Sequence, residues 1–215
     1  MERLRAAGHR PVAVHEPGGT TLGSDVRALL VRRGGAPIHP WAEALLFSAC
    51  RVQLVHEVIR PALASGGIVV ADRFADSTLA YQGAGRGLSQ GDLELLIRLA
   101  TGGLCPELTI LLDVPPRVGL ARLSGRFDKG GASVDQISFL EELDLPEGWN
   151  RFEDEGPTFQ ERVRAAYVEL AAEEPRRGVI VDATPPLEVV AQAVWEHVAT
   201  RLLMGGPPSS GACTR

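Results

Sequence analysis

A chain of 215 residues is long enough for one α/β domain with a sizeable core and too short for two ordinary ones. Its 45% hydrophobic and 23% charged residues exclude wholesale disorder, and a net charge of −5 argues against a sequence-independent nucleic-acid binder, which leans basic. Of the 22 basic side chains only Lys129 is a lysine, so a phosphate loop built on a lysine elsewhere in the chain is excluded.

Cys50, Cys105 and Cys213 are odd in number, far apart and without metal spacing, which predicts no disulfide framework and a reducing, cytoplasmic setting. No signal-peptide core follows Met1, and no apolar run approaches the roughly 18 residues of a membrane span. No membrane partner is expected.

In chain order, the residues from Leu4 to His9 read as the end of a helix. Short apolar runs at 11–15, 67–71, 108–112 and 178–181 predict buried strands. Helix-period segments lie near 22–33, 40–60, 89–101, 116–124, 156–174 and 186–203. Near-continuous apolar strands alternating with helices predict an α/β fold, a parallel sheet flanked by helices on both faces. Residues 1–204 are expected to form one domain, and the tail 205–215, which has nothing to bury, to be disordered.

Three strands end in polar residues: His15-Glu16, Asp72-Arg73 and Asp113. Carboxyl ends of parallel strands line the ligand crevice, although a strand-end Asp also serves as a turn former. After the first strand, Glu16-Pro17-Gly18-Gly19-Thr20 offers backbone N–H groups to an anion, or is a plain strand-to-helix turn. In the helix 40–60, Leu45, Ala49, Val52 and Ile59 share one stripe, read as the core face, and Phe47, Arg51, Leu54 and Val58 the opposite one, so the helix is expected to be buried on both sides with Arg51 in an apolar setting. Phe47 and Arg51 are four apart and meet on one face. Either they read a planar base, or Phe47 packs in the core while Arg51 pairs with an acid.

The segment from Asp72 to Gly87 is the sharpest. A strand-end Asp can place a carboxylate near a magnesium ion, and the Arg73 fork suits phosphate oxygens. Ser77, Thr78, Tyr81, Gln82 and Arg86 follow among Gly83, Gly85 and Gly87, a density of donors that a structural loop rarely needs. Residues 122–155 carry Arg122, Arg126, Lys129 and Arg151 with Gly130-Gly131, and read as a lid over phosphates or as a solvated loop. Glu141, Glu142 and Asp144 in the same stretch weaken a purely electrostatic argument.

These strings together resemble the thymidylate kinases, P-loop nucleoside monophosphate kinases acting on dTMP. The resemblance rests on Glu16 to Thr20, Leu45 to Arg51, Asp72-Arg73-Phe74 with Ser77 through Arg86, and Thr101-Gly102-Gly103-Leu104. Arg151-Phe152-Glu153 and Phe159 to Arg162 continue it, so that it covers most of residues 6 to 200. The resemblance implies ATP-dependent phosphorylation of dTMP to dTDP, with ATP and Mg²⁺ as cofactors, dTMP as substrate and a homodimer as the assembly. It also implies residue roles. Phe47 would stack on thymine, Arg51 would bond its edge, and Gln82 would approach the base. Tyr81 would lie against the deoxyribose and disfavour a 2′-hydroxyl. Glu16, Pro17 and Ser77 would complete the substrate site, Arg73 would hold the phosphate and Asp72 would act through the metal. Arg122, Arg126 and Arg151, with Arg73, would be the catalytic cations.

The departures are specific. No G-x-x-x-x-G-K-[ST] string is present. His15 stands where the family usually has Arg, Asn150 replaces a usual Asp, and the stretch 129–150 is longer than usual. The expectation is therefore that about 25 residues, carrying the central first strand and the phosphate loop, are missing upstream, and that the chain as given turns over little. The alternatives are a non-catalytic dTMP-binding or regulatory remnant, and a kinase for another monophosphate.

Overall fold

The computed structural model describes residues 1–32, 36–123, 151–152 and 154–203. Arg126, Lys129, Asn150, most of the expected lid and the tail 205–215 lie outside the described residues. The chain divides into two compact units, one spanning Met1–Cys105 and a second beginning at Pro106.

The first unit opens with a short helix α1 (Glu2–Ala6) and strand β1 (Pro11–His15). Helix α2 (Thr21–Leu30) starts where the Thr20 hydroxyl accepts the Gly23 N–H at 3.0 Å, meeting one of the N–H groups that a helix start leaves unpaired. Helix α3 (Pro40–Leu54) begins with Pro40 in its first turn, where a missing N–H costs nothing, and with His39 Nδ1 accepting from Trp41 N. A π-helical turn, Val55–Ile59, joins α3 to α4 (Arg60–Ala64) and leads to strand β2 (Ile68–Asp72). Then come α5 (Ala75–Thr78), a second π-helical segment, Leu79–Gly85, and α6 (Gln90–Thr101). Helix α6 stops at Gly102, whose φ of 58° is the left-handed conformation of a helix C-terminus. β1 and β2 pair in parallel, with His15 opposite Asp72. Val14, Leu54, Val55 and Ile59 form the core beneath them, and Val26, Leu30 and Cys50 a second cluster between α2 and α3.

The second unit holds β3 (Thr109–Asp113), α7 (Pro116–Leu123), α8 (Pro157–Glu173), β4 (Gly178–Asp182) and α9 (Leu187–Val198), which runs into a π-helical turn, Ala199–Leu203. β3 and β4 are parallel, and Val179, Val181 and Val190 form their core. All four expected strands are present within a residue of their predicted bounds. Among the described residues they form two two-stranded parallel sheets, where one parallel sheet was expected.

Two expectations are corrected. Leu45 and Val52, read as the core face of α3, are 55% and 48% exposed, and the stripe holding Arg51 and Leu54 is the buried one. Both stripes of α3 are apolar, so the pattern alone does not rank them. The π turn accounts for Ile59: it inserts extra backbone between Leu54 and Arg60, so Ile59, which is buried, no longer shares the stripe of Leu45 and Val52 that a uniform 100° step assigns it. Secondly, Cys105 is disulfide-bonded, against the expectation that the cysteines form no disulfide, whereas Cys50 is free and buried. Among the described residues no helix is long and apolar enough to cross a membrane.

Candidate active site

The turn after β1 is built inward. Glu16, Pro17 and Gly18 are buried, and the Glu16–Pro17 peptide bond is cis. The Pro17 carbonyl accepts from Arg27 Nη1 at 3.0 Å and lies 3.2 Å from His15 Nδ1. Gly19 has φ 76°, and a Cβ there would come within 2.7 Å of Leu54 Cδ1 in the core. Only glycine meets both constraints.

Glu16 is thereby aimed at Arg51. Arg51 Nε donates to both Glu16 oxygens at 3.1 and 2.9 Å, and Nη2 donates to Oε2 at 2.6 Å. Nη1 donates to Thr78 Oγ1 at 3.0 Å and Nη2 to the Phe74 carbonyl at 3.2 Å. The Phe74 ring centroid lies 5.5 Å from the guanidinium carbon. Arg51 is 1% exposed, so this ion pair is dry. Burial pushes the Glu16 carboxyl up from its ordinary value, and the charge and hydrogen bonds of Arg51 pull it back down. The ring beside Arg51 is thus that of Phe74, and Arg51 pairs with an acid, as in the second of the two readings of the Phe47–Arg51 spacing. Phe47 is half-buried against Val26, Leu30 and Cys50.

Two helical turns before Arg51 on α3, Glu43 is fully buried. Its carboxylate accepts from Gln82 Nε2 at 2.7 Å and from Arg86 Nε and Nη2 at 3.4 and 3.3 Å. Gln82, expected near a base, is 2% exposed and has its amide nitrogen on this carboxylate.

Asp72 ends β2 as an exposed carboxylate, its carbonyl accepting the Glu16 N–H at 3.0 Å. Arg73 follows with φ 68°, an uncommon conformation for a side-chain-bearing residue, and its guanidinium carbon stands 4.9 Å from the Tyr81 ring centroid. Ser77 and Tyr81 are four apart along α5 and the π-helical segment, and Arg73, just before α5, reaches the Tyr81 ring. Phe74, Thr78, Gln82 and Arg86 make the bonds to α3.

In the second unit, Arg122 donates to the Ala183 and Thr184 carbonyls, both at 2.7 Å. The Arg151 guanidinium carbon lies 4.5 Å from the Phe152 ring centroid. Asp113 is held by Arg164 in a two-pronged pair, both contacts 2.7 Å, whose hydrogen bonds and charge keep its carboxyl below the usual range. It therefore ends its strand as an ion-pair partner. From sequence, neither Glu43 nor Arg164 is singled out, and Phe74 is named only within the Asp72-Arg73-Phe74 string. The signal available for Glu43 is the Glu43–Phe47–Arg51 spacing of four, an acid inside an apolar stripe.

Parallel strands alternating with helices, a strand-end Asp-Arg and a buried arginine–glutamate pair are what the fold and site present. The family model described as "Thymidylate kinase" matches residues 1–194. A thymidylate kinase of Thermomicrobium roseum is 47% identical over 203 residues, covering 94% of this chain and 87% of that protein. One from Desulfovibrio desulfuricans is 50% identical over 192 residues, 88% of this chain and 82% of that protein. The crystal structure of thymidylate kinase from Ehrlichia chaffeensis superposes with a TM-score of 0.62 at 26% identity, covering 88% of this chain and 80% of that one. The chain belongs to the thymidylate kinase family. The family match begins at residue 1 and lends no support to the expectation of a missing upstream segment.

Proposed function

We propose that the chain is a phosphotransferase that converts dTMP to dTDP with ATP as donor. The observation that carries this reading is that Arg73, exposed at the end of β2, keeps a left-handed backbone and stands beside the Tyr81 ring. Arg73 takes the dTMP phosphate, Tyr81 the sugar, and Ser77 lies alongside. Phe47 offers its ring to the base. Four of the five Arg51 N–H donors are engaged by Glu16, Thr78 and Phe74, and the fifth, on Nη1, is the one that reaches the base edge. Glu16 and Pro17 act through Arg51 and the turn that aims it. Arg122, Arg126 and Arg151 supply positive charge to the transferring phosphoryl group, since this chemistry is mostly positioning and electrostatics.

For Mg²⁺ the chain offers Asp72. No cluster of three metal-binding side chains occurs among the described residues. A magnesium ion is commonly held by one or two carboxylates, with phosphates and water completing its shell, so one exposed Asp fits. When bound, the ion would neutralise phosphate charge. The homodimer belongs to the same reading. It is supported by exposed apolar residues on α2 (Leu22, Leu29), α3 (Leu45, Val52) and α6 (Leu95, Leu99), three helices of which α3 packs against the other two.

The test is calorimetric titration with dTMP, dUMP and dCMP, followed by nucleotide-dependent ADP release from ATP. Tightest binding and fastest release with dTMP are expected. Absence of dTMP binding refutes the reading. Binding of dTMP without ADP release favours the non-catalytic alternative, to which the lack of a G-x-x-x-x-G-K-[ST] string in these residues gives specific weight.

A further inference from the structure

The face of α3 that bears Phe47 is polar at both ends and buried at both ends. Glu43, Phe47 and Arg51 recur every four residues along it. Opposite them, Thr78 and Gln82 lie four apart in α5 and the Leu79–Gly85 segment, with Phe74 just before the first and Arg86 just after the second. A π turn closes one residue later than an α turn, which lengthens the side-chain repeat and keeps every fourth residue on one face. Arg51 holds the early end of this face through Phe74 and Thr78. Glu43 holds the late end through Gln82 and Arg86. The Arg86 N–H reaches back to the Tyr81 carbonyl at 2.9 Å, so the residue that Glu43 grips also closes the turn around Tyr81. Resting on the dTMP reading above, we propose that Glu43 is a positioning residue of the acceptor site. By binding Gln82 and Arg86 it fixes the π-helical segment and so holds Tyr81 where it meets the sugar of a deoxynucleoside monophosphate.

A buried carboxylate is a costly way to fill a helix face unless its bonds specify geometry. Three donor contacts from two residues four apart do specify it, because they define both the rotation and the pitch of the segment. Removing the charge leaves Arg86 without its ionic partner on Glu43, loosens the turn and lets Tyr81 move relative to Arg73.

The experiment compares the unsubstituted chain with Glu43→Gln and Gln82→Leu, the second of which keeps the Glu43–Arg86 pair and does not leave that charge unpartnered. Calorimetry with dTMP and with its ribose counterpart, 5-methyluridine 5′-monophosphate, reads affinity, stoichiometry and sugar preference. The expected result is a dTMP Kd raised about tenfold, one site per chain retained, and a several-fold loss of preference for the deoxy sugar. A merely structural role would lower the fraction of competent chains and leave Kd and preference intact, and that outcome overturns the proposal. If Glu43→Gln fails to fold, Gln82→Leu decides: an altered sugar preference supports the proposal and an unaltered one overturns it. Failure of the unsubstituted chain to bind dTMP refutes the functional reading and the proposal together. Binding that the substitutions do not change refutes the proposal alone.

Discussion

Replacing Arg51 by Met removes the guanidinium while keeping most of its length and apolar volume. The side chains of Arg51 and Glu16 are 1% and 3% exposed, so water cannot take over the lost contacts. The substitution strips Glu16 of its three guanidinium contacts and deprives Thr78 Oγ1 and the Phe74 carbonyl of a donor each. Breaking a buried pair from one side costs about 3–5 kcal/mol, a large share of the roughly 5–15 kcal/mol that holds an ordinary domain together. The sign of the pH dependence follows from Glu16. Burial already raises its carboxyl, and Arg51 is what opposes that rise. Without Arg51 the folded-state value climbs further above the unfolded one. The cost of ionising Glu16 is therefore paid in full above the folded value and disappears below the unfolded one. Urea unfolding followed by circular dichroism should show a deficit near pH 7 that shrinks towards about pH 5, and Glu16→Gln added to Arg51→Met should recover part of it. A deficit below about 1 kcal/mol, or one independent of pH, would refute the dry ion pair as the tie between β1, α3 and α5.

In the second unit, Asp113 is held below the usual carboxylate range by hydrogen bonds and charge from Arg164. The stability it adds is present above its unfolded value and is lost as pH falls through the lower folded value. The Arg164 side chain is 42% exposed, so screening limits this to about 1 kcal/mol or less. Asp113→Asn should lower the melting temperature slightly near neutrality and remove that part of the acid loss, and equal melting shifts at all pH values would contradict it. For the second copy, sedimentation of the unsubstituted chain should give a dimer and Leu45→Glu a monomer, because Leu45 is 55% exposed on α3. A monomeric unsubstituted chain at micromolar concentration would remove the dimer from the proposed function.

Much of this was legible in advance because it depends on short-range pattern. Four apolar runs became four strands, since Val, Ile and Leu favour extended backbone, although the expected burial fails at Val70, Leu112 and Ile180, which are 41%, 52% and 45% exposed. Thr20 before α2, Pro40 at the start of α3 and Gly102 at the end of α6 marked helix ends through local backbone chemistry. The π turns were not legible. Their extra residue is tolerated by tertiary packing rather than requested by composition, and it shifts the face of every residue beyond it, which is why a uniform helical step groups the buried Ile59 with the exposed Leu45 and Val52.

The candidate site divides along the same line. Residue types and spacing by themselves nominated Phe47, Arg51, Asp72, Arg73, Ser77 and Tyr81, because an aromatic beside an arginine and a strand-end Asp-Arg are chemistries a chain displays locally. Which partners those groups meet was decided by the tertiary structure alone. Arg51 meets Glu16 across 35 residues, and Gln82 meets Glu43 across 39. Such pairings are set by how β1, α3 and the Leu79–Gly85 segment pack, and a buried ionic group accepts whichever partner that packing brings within about 3 Å.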